Sequence, residues 1–339
     1  MKFGILLQFR GPSNDPPTAS IYDQAMAEAT AAERLGFDSC YVPEHHLAPD
    51  GTMPRAIAFA GAILARTSKL RVGTAVLQLN VHHPLTLAEE ISVIDNISRG
   101  RLTVGVGLTS FPETMRAFGA DPKGIVSRFE EIISILRMAA SGCAFSHQGK
   151  HFQFENVRVT PVPYTPGGPP IWIGARVPRS LERVGRIADG WISDPMHSIP
   201  VMKQSADLYR KAATANGRKP YVALIRDVWV ARTREEVREI WWPHVRAYHH
   251  YYSFLFNPDW EPWLREIRSP VDWTFERIAP GRLICGTPQD VISQIQDCEK
   301  GVACDEIVFS FRYATGPESK RVREMLELVG REVLPAFRS

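Results

Sequence analysis

The run Leu70-Arg-Val-Gly-Thr-Ala-Val-Leu77 is followed by a helical pattern over residues 85–98 and by the run Arg101-Leu-Thr-Val-Gly-Val-Gly107. Neither run alternates cleanly between apolar and polar residues, which is typical of parallel strands that are covered on both faces. Strand and helix patterns also take turns on either side of this stretch. The alternation predicts a parallel sheet connected by crossover helices.

The same reading extends over the whole chain. The predicted strands lie near residues 2–8, 38–43, 70–77, 101–107, 169–174, 189–193, 222–230 and 305–310. Helical patterns lie between them, for example at Ile21, Ala25, Ala29, Ala32 and Leu35 before Gly36. Eight such units fit 339 residues and predict an α/β fold, a (β/α)8 TIM barrel formed by a single domain over residues 1–339. A doubly wound sheet is the competing fold.

Two stretches are additional to the eight strand–helix units of a barrel and are interpreted as insertions. Residues 142–169 are predicted to form a loop or small hairpin, and residues 241–279 are crowded with aromatic side chains such as Trp241, Trp260 and Trp263. The second insertion is a candidate lid, because long loops in barrels often cover the site. A substrate pocket wall or a dimer contact uses the same residue types, so these readings stay open.

Composition excludes several classes of protein. The formal charge is only +3 and no basic run occurs, so we expect no nucleic-acid partner. The five cysteines include no C-x-x-C spacing, which predicts neither a disulfide framework nor a zinc site and suits a reducing cytoplasm. No signal-length or membrane-length apolar stretch is found, so we expect a soluble cytoplasmic protein.

The segment Pro43-Glu-His-His46 follows the second predicted strand, at the end where barrels carry their active sites. Imidazoles there can supply acid and base chemistry near neutral pH, although a hydrogen-bonded structural histidine fits the same pattern. A metal site is not predicted, because His45 and His46 would point to opposite sides and no third ligand has a recognisable spacing.

Motifs in the first 120 residues are similar to those of the bacterial luciferase family of flavin monooxygenases. They are Tyr41-Val-Pro-Glu-His-His-Leu47, Val72-Gly-Thr-Ala-Val76, His83-Pro84, Ala88-Glu89, Asp95, Ser98-Arg-Gly-Arg-Leu102 and Phe118-Gly119, in the same order and at the same intervals. Looser landmarks are Pro170-Ile-Trp-Ile-Gly-Ala175, Ala188-Asp-Gly-Trp191 and Gly286-Thr-Pro-Gln289. The chain therefore resembles a luciferase-like TIM barrel over most of its length outside the aromatic insertion.

The resemblance implies roles for the histidines. His45 falls on the family's active-site histidine, with Glu44 as its catalytic neighbour. His46 is expected to pack behind the strand. His83 falls on a family histidine and is a candidate for substrate or lid contact, whereas His82 has no such counterpart and is interpreted as structural.

Cofactor-binding positions are also implied. Ala75-Val76 lies where the family has a non-prolyl cis peptide against the flavin ring, and Gly107 lies at the end of a strand where backbone can approach the cofactor. Luciferases carry a reactive cysteine and a phosphate-binding arginine at the positions of Gly107 and Leu108, so this chain departs from the pattern there.

The segment Gly174-Ala-Arg-Val-Pro-Arg-Ser180 is predicted to supply the missing cation. Pro178 suits a first helical turn, which leaves the N–H groups of Val177, Arg179 and Ser180 as candidate phosphate donors. The resemblance places Ala175, Arg176, Val177 and Ser180 at the cofactor, with Arg176 and Ser180 on phosphate positions. Arg179 and Arg183 fit solvated helix charges equally well.

Two further residues are candidates for substrate or lid contact. Trp191 ends the Ala-Asp-Gly-Trp landmark, and Arg312 follows the last predicted strand. These positions lie at or beyond strands whose ends build barrel active sites.

The resemblance implies an FMN-dependent monooxygenase of the two-component type. Reduced FMN comes from a partner flavin reductase, O₂ is the second substrate, and one oxygen atom enters a small hydrophobic organic molecule. A homodimer is expected. The alternatives are a hydride-transfer oxidoreductase that uses the deazaflavin coenzyme, and a non-catalytic flavin-binding protein. Neither the identity of the substrate nor light emission follows from the sequence.

Overall fold

The computed structural model describes residues 1–9, 18–47, 53–108, 111–253 and 258–338. The Pro/Asn-rich loop predicted after the first strand, and Phe254 and Phe256 of the aromatic insertion, lie outside these ranges. The chain divides into two units. The first unit comprises residues 1–40 and 175–339, and the second unit comprises residues 41–174.

All eight predicted strands are present, and Ile284–Gly286 forms a further short strand that the sequence did not indicate. The strands are β1 Lys2–Leu6, β2 Ser39–Val42, β3 Arg71–Thr74, β4 Leu77–Gln78, β5 Leu102–Gly107, β6 Phe145–Gln148, β7 Gln153–Val157, β8 Ile171–Gly174, β9 Gly190–Ile192, β10 Val222–Val230, β11 Ile284–Gly286 and β12 Glu306–Ser310. The helices are α1 Thr18–Leu35, α2 Ala56–Arg66, α3 Pro84–Ser98, α4 Pro112–Ala117, α5 Ile125–Ala139, α6 Pro178–Ile187, α7 Ile199–Ala215, α8 Arg234–Glu236, α9 Trp242–Tyr251, α10 Phe275–Ile278, α11 Pro288–Val302 and α12 Ser319–Leu328. This is the element order of a (β/α)8 barrel.

In the second unit, β5 is the central strand. It pairs in parallel with β3 through Val72 and Leu102, with β4 through Leu77 and Val106, and with β8 through Val104 and Ile171. Every residue of β5 is buried, as expected for a strand covered on both faces.

In the first unit, β10 is the hub. Its first half pairs in parallel with β9 and β12, its last three residues pair with β11, and β12 in turn pairs with β1. All nine residues of β10 are buried. Two of them, Arg226 and Asp227, have ionisable side chains, which need polar partners in the interior.

Local sequence signals explain where the helices begin and end. Pro178 occupies the first turn of α6, with Val177 as the N-cap residue. In α11, Thr287 and Asp290 form a reciprocal capping box, with 3.0 Å between the Thr287 N–H nitrogen and the Asp290 carboxylate. Gly36 follows α1 with a φ of +89°, a conformation that glycine tolerates and that ends the helix.

The two predicted insertions have different structures. Residues 142–169 contain the antiparallel hairpin of β6 and β7, as one of the two predicted forms requires. The described part of residues 241–279 contains α9, short 3₁₀ segments and α10. Among the described residues, no helix combines the length and the apolar composition needed to cross a membrane.

Candidate active site

The Glu-His-His segment directly after β2 is organised around the carboxylate of Glu44, in the second unit. Glu44 is buried, and its two oxygens accept the backbone N–H groups of Gln78 at 3.0 Å and Ala56 at 3.2 Å. The ring Nε2 of His82 lies 2.8 Å from Oε1 of the same carboxylate. The carboxylate therefore ties the end of β2 to the start of α2 and to β4.

His46 and His82 share this carboxylate. Nε2 of His46 lies 3.1 Å from Oε1 of Glu44, outside good hydrogen-bond geometry, and its ring packs edge-on against Phe118 with a centroid distance of 4.8 Å. Nη1 of Arg55 lies 3.4 Å from Nδ1 of His82. Because an arginine can only donate, this contact favours an unprotonated Nδ1 and an Nε2–H that donates to Glu44.

These contacts fix the charge of Glu44. Burial alone would raise its pKa, but His46 and His82 beside it hold the pKa at about 2. A buried carboxylate with a depressed pKa that is engaged by two backbone amides suits the positioning of its neighbours. The catalytic role of Glu44 remains a prediction.

The cluster also has the spacing of a metal site, which the sequence did not indicate. Ligand atoms of Glu44, His46 and His82 lie within 4.8 Å of one another. A ligating His82 would have to give up the Nε2 proton that it donates to Glu44. We therefore interpret the three residues as a hydrogen-bonded cluster, and the expectation of no metal remains a prediction.

His45 differs from its two neighbours. Glu44 and His46 are buried, whereas the side chain of His45 is partly exposed. Its backbone N–H donates to the carbonyl of Met53 at 2.9 Å, which fixes the residue between β2 and α2. His46 packs behind the strand as predicted, so His45 is the more exposed of the two histidines in this segment.

The Ala75–Val76 peptide bond is cis, as the resemblance predicted. The segment around this bond packs closely against two glycines of β5. A Cβ atom on Gly107 would stand 2.6 Å from Cγ2 of Val76, and one on Gly105 would stand 1.9 Å from the carbonyl oxygen of Thr74. The glycines of β5 thus have a packing reason within the second unit, alongside any approach to a cofactor.

His83 lies at the N-cap of α3, with an exposed side chain that contacts the hairpin insertion. Its ring packs edge-on against Phe152 and Phe154, with centroid distances of 5.8 and 5.9 Å. These contacts are with the hairpin and not with the candidate lid of residues 241–279, so the expected substrate or lid contact of His83 remains a prediction. The structural reading of His82 agrees with its bond to Glu44.

In the first unit, the proposed phosphate segment lies where β8 ends and α6 begins. Arg176 is half-buried, and its Nε lies 3.6 Å from Oδ2 of Asp194. The Ser180 N–H donates to the Val177 carbonyl at 2.9 Å, which corrects its prediction as a free phosphate donor. The Ser180 hydroxyl, the Val177 and Arg179 N–H groups and the Arg176 guanidinium remain suited to an anion.

The predicted substrate or lid contacts of Trp191 and Arg312 are corrected. Trp191 is fully buried, packs near Tyr209 and donates from Nε1 to the Ala175 carbonyl at 2.9 Å. Arg312 is buried, and its guanidinium donates to Gln24 at 2.9 Å, to Ser319 at 2.9 Å and to Glu28. Both side chains belong to the interior of the first unit.

The first unit holds a buried triad that sequence reasoning missed. Asp227 of β10 accepts hydrogen bonds from Nε2 of His249 and from the hydroxyl of Tyr313, both at 2.8 Å. Burial, with Asp227 beside it, raises the pKa of Tyr313 well above its usual value, so this hydroxyl stays a donor. The triad fastens α9 of the aromatic insertion to β10.

Comparisons with known proteins agree with this architecture. Residues 1–304 match the family model described as luciferase-like monooxygenase. The oxygenase component of the flavin-dependent trigonelline monooxygenase of Acinetobacter baylyi is 25% identical over 350 residues, covering 99% of this chain and 96% of that protein. The chain belongs to the luciferase-like monooxygenase family and is an oxidoreductase.

Solved structures show the same fold. A monooxygenase from Streptomyces bottropensis superposes with a TM-score of 0.86 at 23% identity, covering 99% of this chain and 100% of that one. The oxygenating constituent of 3,6-diketocamphane monooxygenase from Pseudomonas putida, solved with FMN, has a TM-score of 0.82 at 19% identity, covering 99% and 98%. The chain is therefore a (β/α)8 barrel as predicted, and the doubly wound alternative is wrong.

Enzymes that use the deazaflavin coenzyme share the fold as well. The coenzyme F420-dependent tetrahydromethanopterin reductase of Methanopyrus kandleri has a TM-score of 0.74 at 20% identity, covering 99% of each chain. The trigonelline relative supports a flavin-dependent monooxygenase, and proteins of this fold include users of both FMN and the deazaflavin coenzyme.

Proposed function

We propose that this protein is the oxygenase component of a two-component FMN-dependent monooxygenase. A separate reductase supplies reduced FMN, O₂ is the co-substrate, and the product is an oxygenated small hydrophobic molecule. The observation that carries the proposal is the arrangement around His45, in which a buried, ionised Glu44 fixes the segment and leaves one partly exposed imidazole. The kinship with a protein named as an oxygenase component supports the need for a reductase.

The site residues of this proposal are assigned within each unit. In the second unit, His45 holds or moves a proton at its imidazole, and Ala75, Val76 and Gly107 contact the flavin ring. In the first unit, Ala175, Arg176, Val177 and Ser180 hold the phosphate, which suits a helix start with free N–H groups and a nearby guanidinium. The cofactor, when bound, supplies the electrons for the chemistry on O₂.

The aromatic insertion is proposed as the lid. Exclusion of water protects reactive intermediates from side reactions, and insertions that cover a site serve this purpose. The Asp227–His249 hydrogen bond supports the assignment, because it attaches one end of the insertion, α9, to β10. We further propose that residues 1–339 form one luciferase-like domain. Two copies of the chain would form a homodimer in the cytoplasm.

Anaerobic titration with reduced FMN and with the reduced deazaflavin coenzyme tests the proposal, followed by rapid mixing with aerated buffer. We expect binding of reduced FMN and a near-ultraviolet transient whose lifetime shortens in His45→Ala. His151→Ala is the matched control, because this hairpin imidazole bonds Ser127 at 2.8 Å and has no assigned role.

Other outcomes select the alternatives. Tight binding of the deazaflavin coenzyme without binding of FMN overturns the monooxygenase in favour of hydride transfer. Normal FMN affinity with turnover that His45→Ala leaves unchanged removes the catalytic role of His45 and favours a non-catalytic flavin-binding protein.

A further inference from the structure

The first unit contains a cavity of about 380 Å³ that none of the residues assigned above lines. It lies among α11, β11 and the segments 234–238 and 275–283. Its apolar walls are formed by Ile199, Val237, Phe275, Ala279, Leu283 and Ile284. A cavity of about 150 Å³ accommodates benzene and pockets for organic ligands begin near 300 Å³, so this one has room for about two fused rings.

Arg282 presents an unpaired donor at this cavity. The residue lines the cavity, and its side chain is 5% exposed. One terminal nitrogen bonds Glu261 and the other lies 3.4 Å from the Arg277 carbonyl, while Nε has no hydrogen-bond partner among the described residues. A buried N–H without an acceptor is costly, so a ligand that supplies an oxygen here is stabilised.

Arg226 adds a second buried positive charge behind the cavity wall. It is fully buried beside Cys298, which lines the cavity, and Nη1 donates to the His197 carbonyl at 2.6 Å. Among the described residues, Nε and Nη2 have no nitrogen or oxygen partner, and the group that the guanidinium contacts at the cavity wall is the Cys298 thiol. Two buried guanidiniums are thus balanced here by one buried carboxylate, that of Glu261.

The other charges at the cavity largely neutralise one another. Arg234 donates from Nε to Asp290 at 2.9 Å, and Arg238 donates to Glu276 at 2.7 Å. Asp297 also lines the cavity. Burial raises the pKa of the Cys285 thiol to about 12, so this wall residue is neutral at physiological pH. The named arginines and carboxylates are equal in number, but Asp297 is exposed, so the unpaired charge that is buried at this apolar cavity is the positive charge behind Cys298, next to the unpartnered Nε of Arg282.

We propose that this cavity binds a small organic carboxylate with an apolar body of about two rings. The ligand carboxylate accepts a hydrogen bond from the Nε–H of Arg282 and is attracted by the positive charge of Arg226. The apolar rings of the ligand pack against Phe275, Val237 and Leu283. The inference concerns residues outside those assigned to the flavin, so it stands whether or not the proposed function does.

Calorimetric titration with 2-naphthoate, in the presence of saturating FMN, tests the proposal on the full chain. The neutral amide 2-naphthamide has nearly the same shape and is expected to bind at least about tenfold more weakly, because it lacks a charge-assisted hydrogen bond. Ala279→Phe places a phenyl ring at the cavity wall while both arginines are retained, and it is expected to abolish naphthoate binding. Ala336→Phe, at an exposed position, is expected to leave binding unchanged.

Three results would overturn the proposal. They are no saturable binding of naphthoate at millimolar concentration, equal affinity for naphthoate and naphthamide, and full binding in Ala279→Phe. Arg282→Gln provides a second check. It is expected to lower the affinity for naphthoate about tenfold or more and to leave the affinity for naphthamide unchanged. Circular dichroism and thermal unfolding, measured on the same samples, verify that each variant is folded.

Discussion

The ring Nε2 of His82 lies 2.8 Å from Oε1 of Glu44, although 38 residues separate them in the chain. The same oxygen accepts the Gln78 N–H, so β4 and the start of α3 are tied to the end of β2 through one carboxylate. Because His45 directly follows Glu44, the position of the partly exposed His45 depends on the buried Glu44 carboxylate.

Glu44→Gln is expected to destabilise the protein at pH 7 by about 3 kcal/mol, since the pKa of Glu44 falls from 4.5 to about 2 on folding. A depressed carboxyl pKa stabilises the fold fully above the unfolded value and progressively less as pH falls towards 2. The difference between variant and wild type in urea unfolding should therefore shrink below about pH 4.5. A constant difference down to pH 3 would contradict the role of the charge.

Arg176→Gln is expected to weaken FMN binding about tenfold or more, because a charge-assisted bond to the phosphate is lost. Riboflavin lacks the phosphate, so its affinity should not change. Asp194→Asn should strengthen FMN binding, since the Asp194 carboxylate lies 3.6 Å from Nε of Arg176 and competes with the phosphate for the guanidinium. Fluorescence titrations of both ligands distinguish these effects, with Arg179→Gln on the exposed side of α6 as the control.

Gly107→Ala should destabilise the second unit by about 1–3 kcal/mol, because the new Cβ would stand 2.6 Å from Cγ2 of Val76. Adding Val76→Ala removes the clashing methyl groups and should recover part of the loss, which appears as a coupling energy of about 1 kcal/mol or more. Gly61→Ala is the control, since its nearest contact is 3.3 Å from the flexible end of Ile94. Additive effects of the two substitutions in thermal unfolding would count against the contact.

The fold was predictable because local signals agree with one another. Strand runs, helical periods and Pro178 at the start of α6 each depend on residues close in sequence. The cluster around Glu44 was not predictable, since its partners come from α2, β4 and the loop before α3. The triad of Asp227, His249 and Tyr313 likewise joins three distant segments, and only the charge within the buried run of β10 hinted at it.

The sequence-based prediction for Arg312 failed for a different reason. A position just after a strand does not determine which way the side chain points, and here it points to α1. A signal was present on that helix, because Glu28 lies on the same face as the buried residues Ala25, Ala29 and Ala32. An acidic residue on an apolar helical face needs a buried partner, and Arg312 supplies it.

Arg312→Met is therefore expected to lower stability by about 3–5 kcal/mol, because it leaves Glu28 buried without its cation. Burial raises the pKa of Glu28, and loss of Arg312 raises it further, so the penalty should shrink as pH falls from 7 towards 5 and the carboxyl becomes neutral. The double variant Glu28→Leu with Arg312→Met should recover most of the loss. FMN affinity and turnover per folded molecule should match wild type, and a specific loss of turnover at normal stability would restore the original assignment of Arg312 to the substrate.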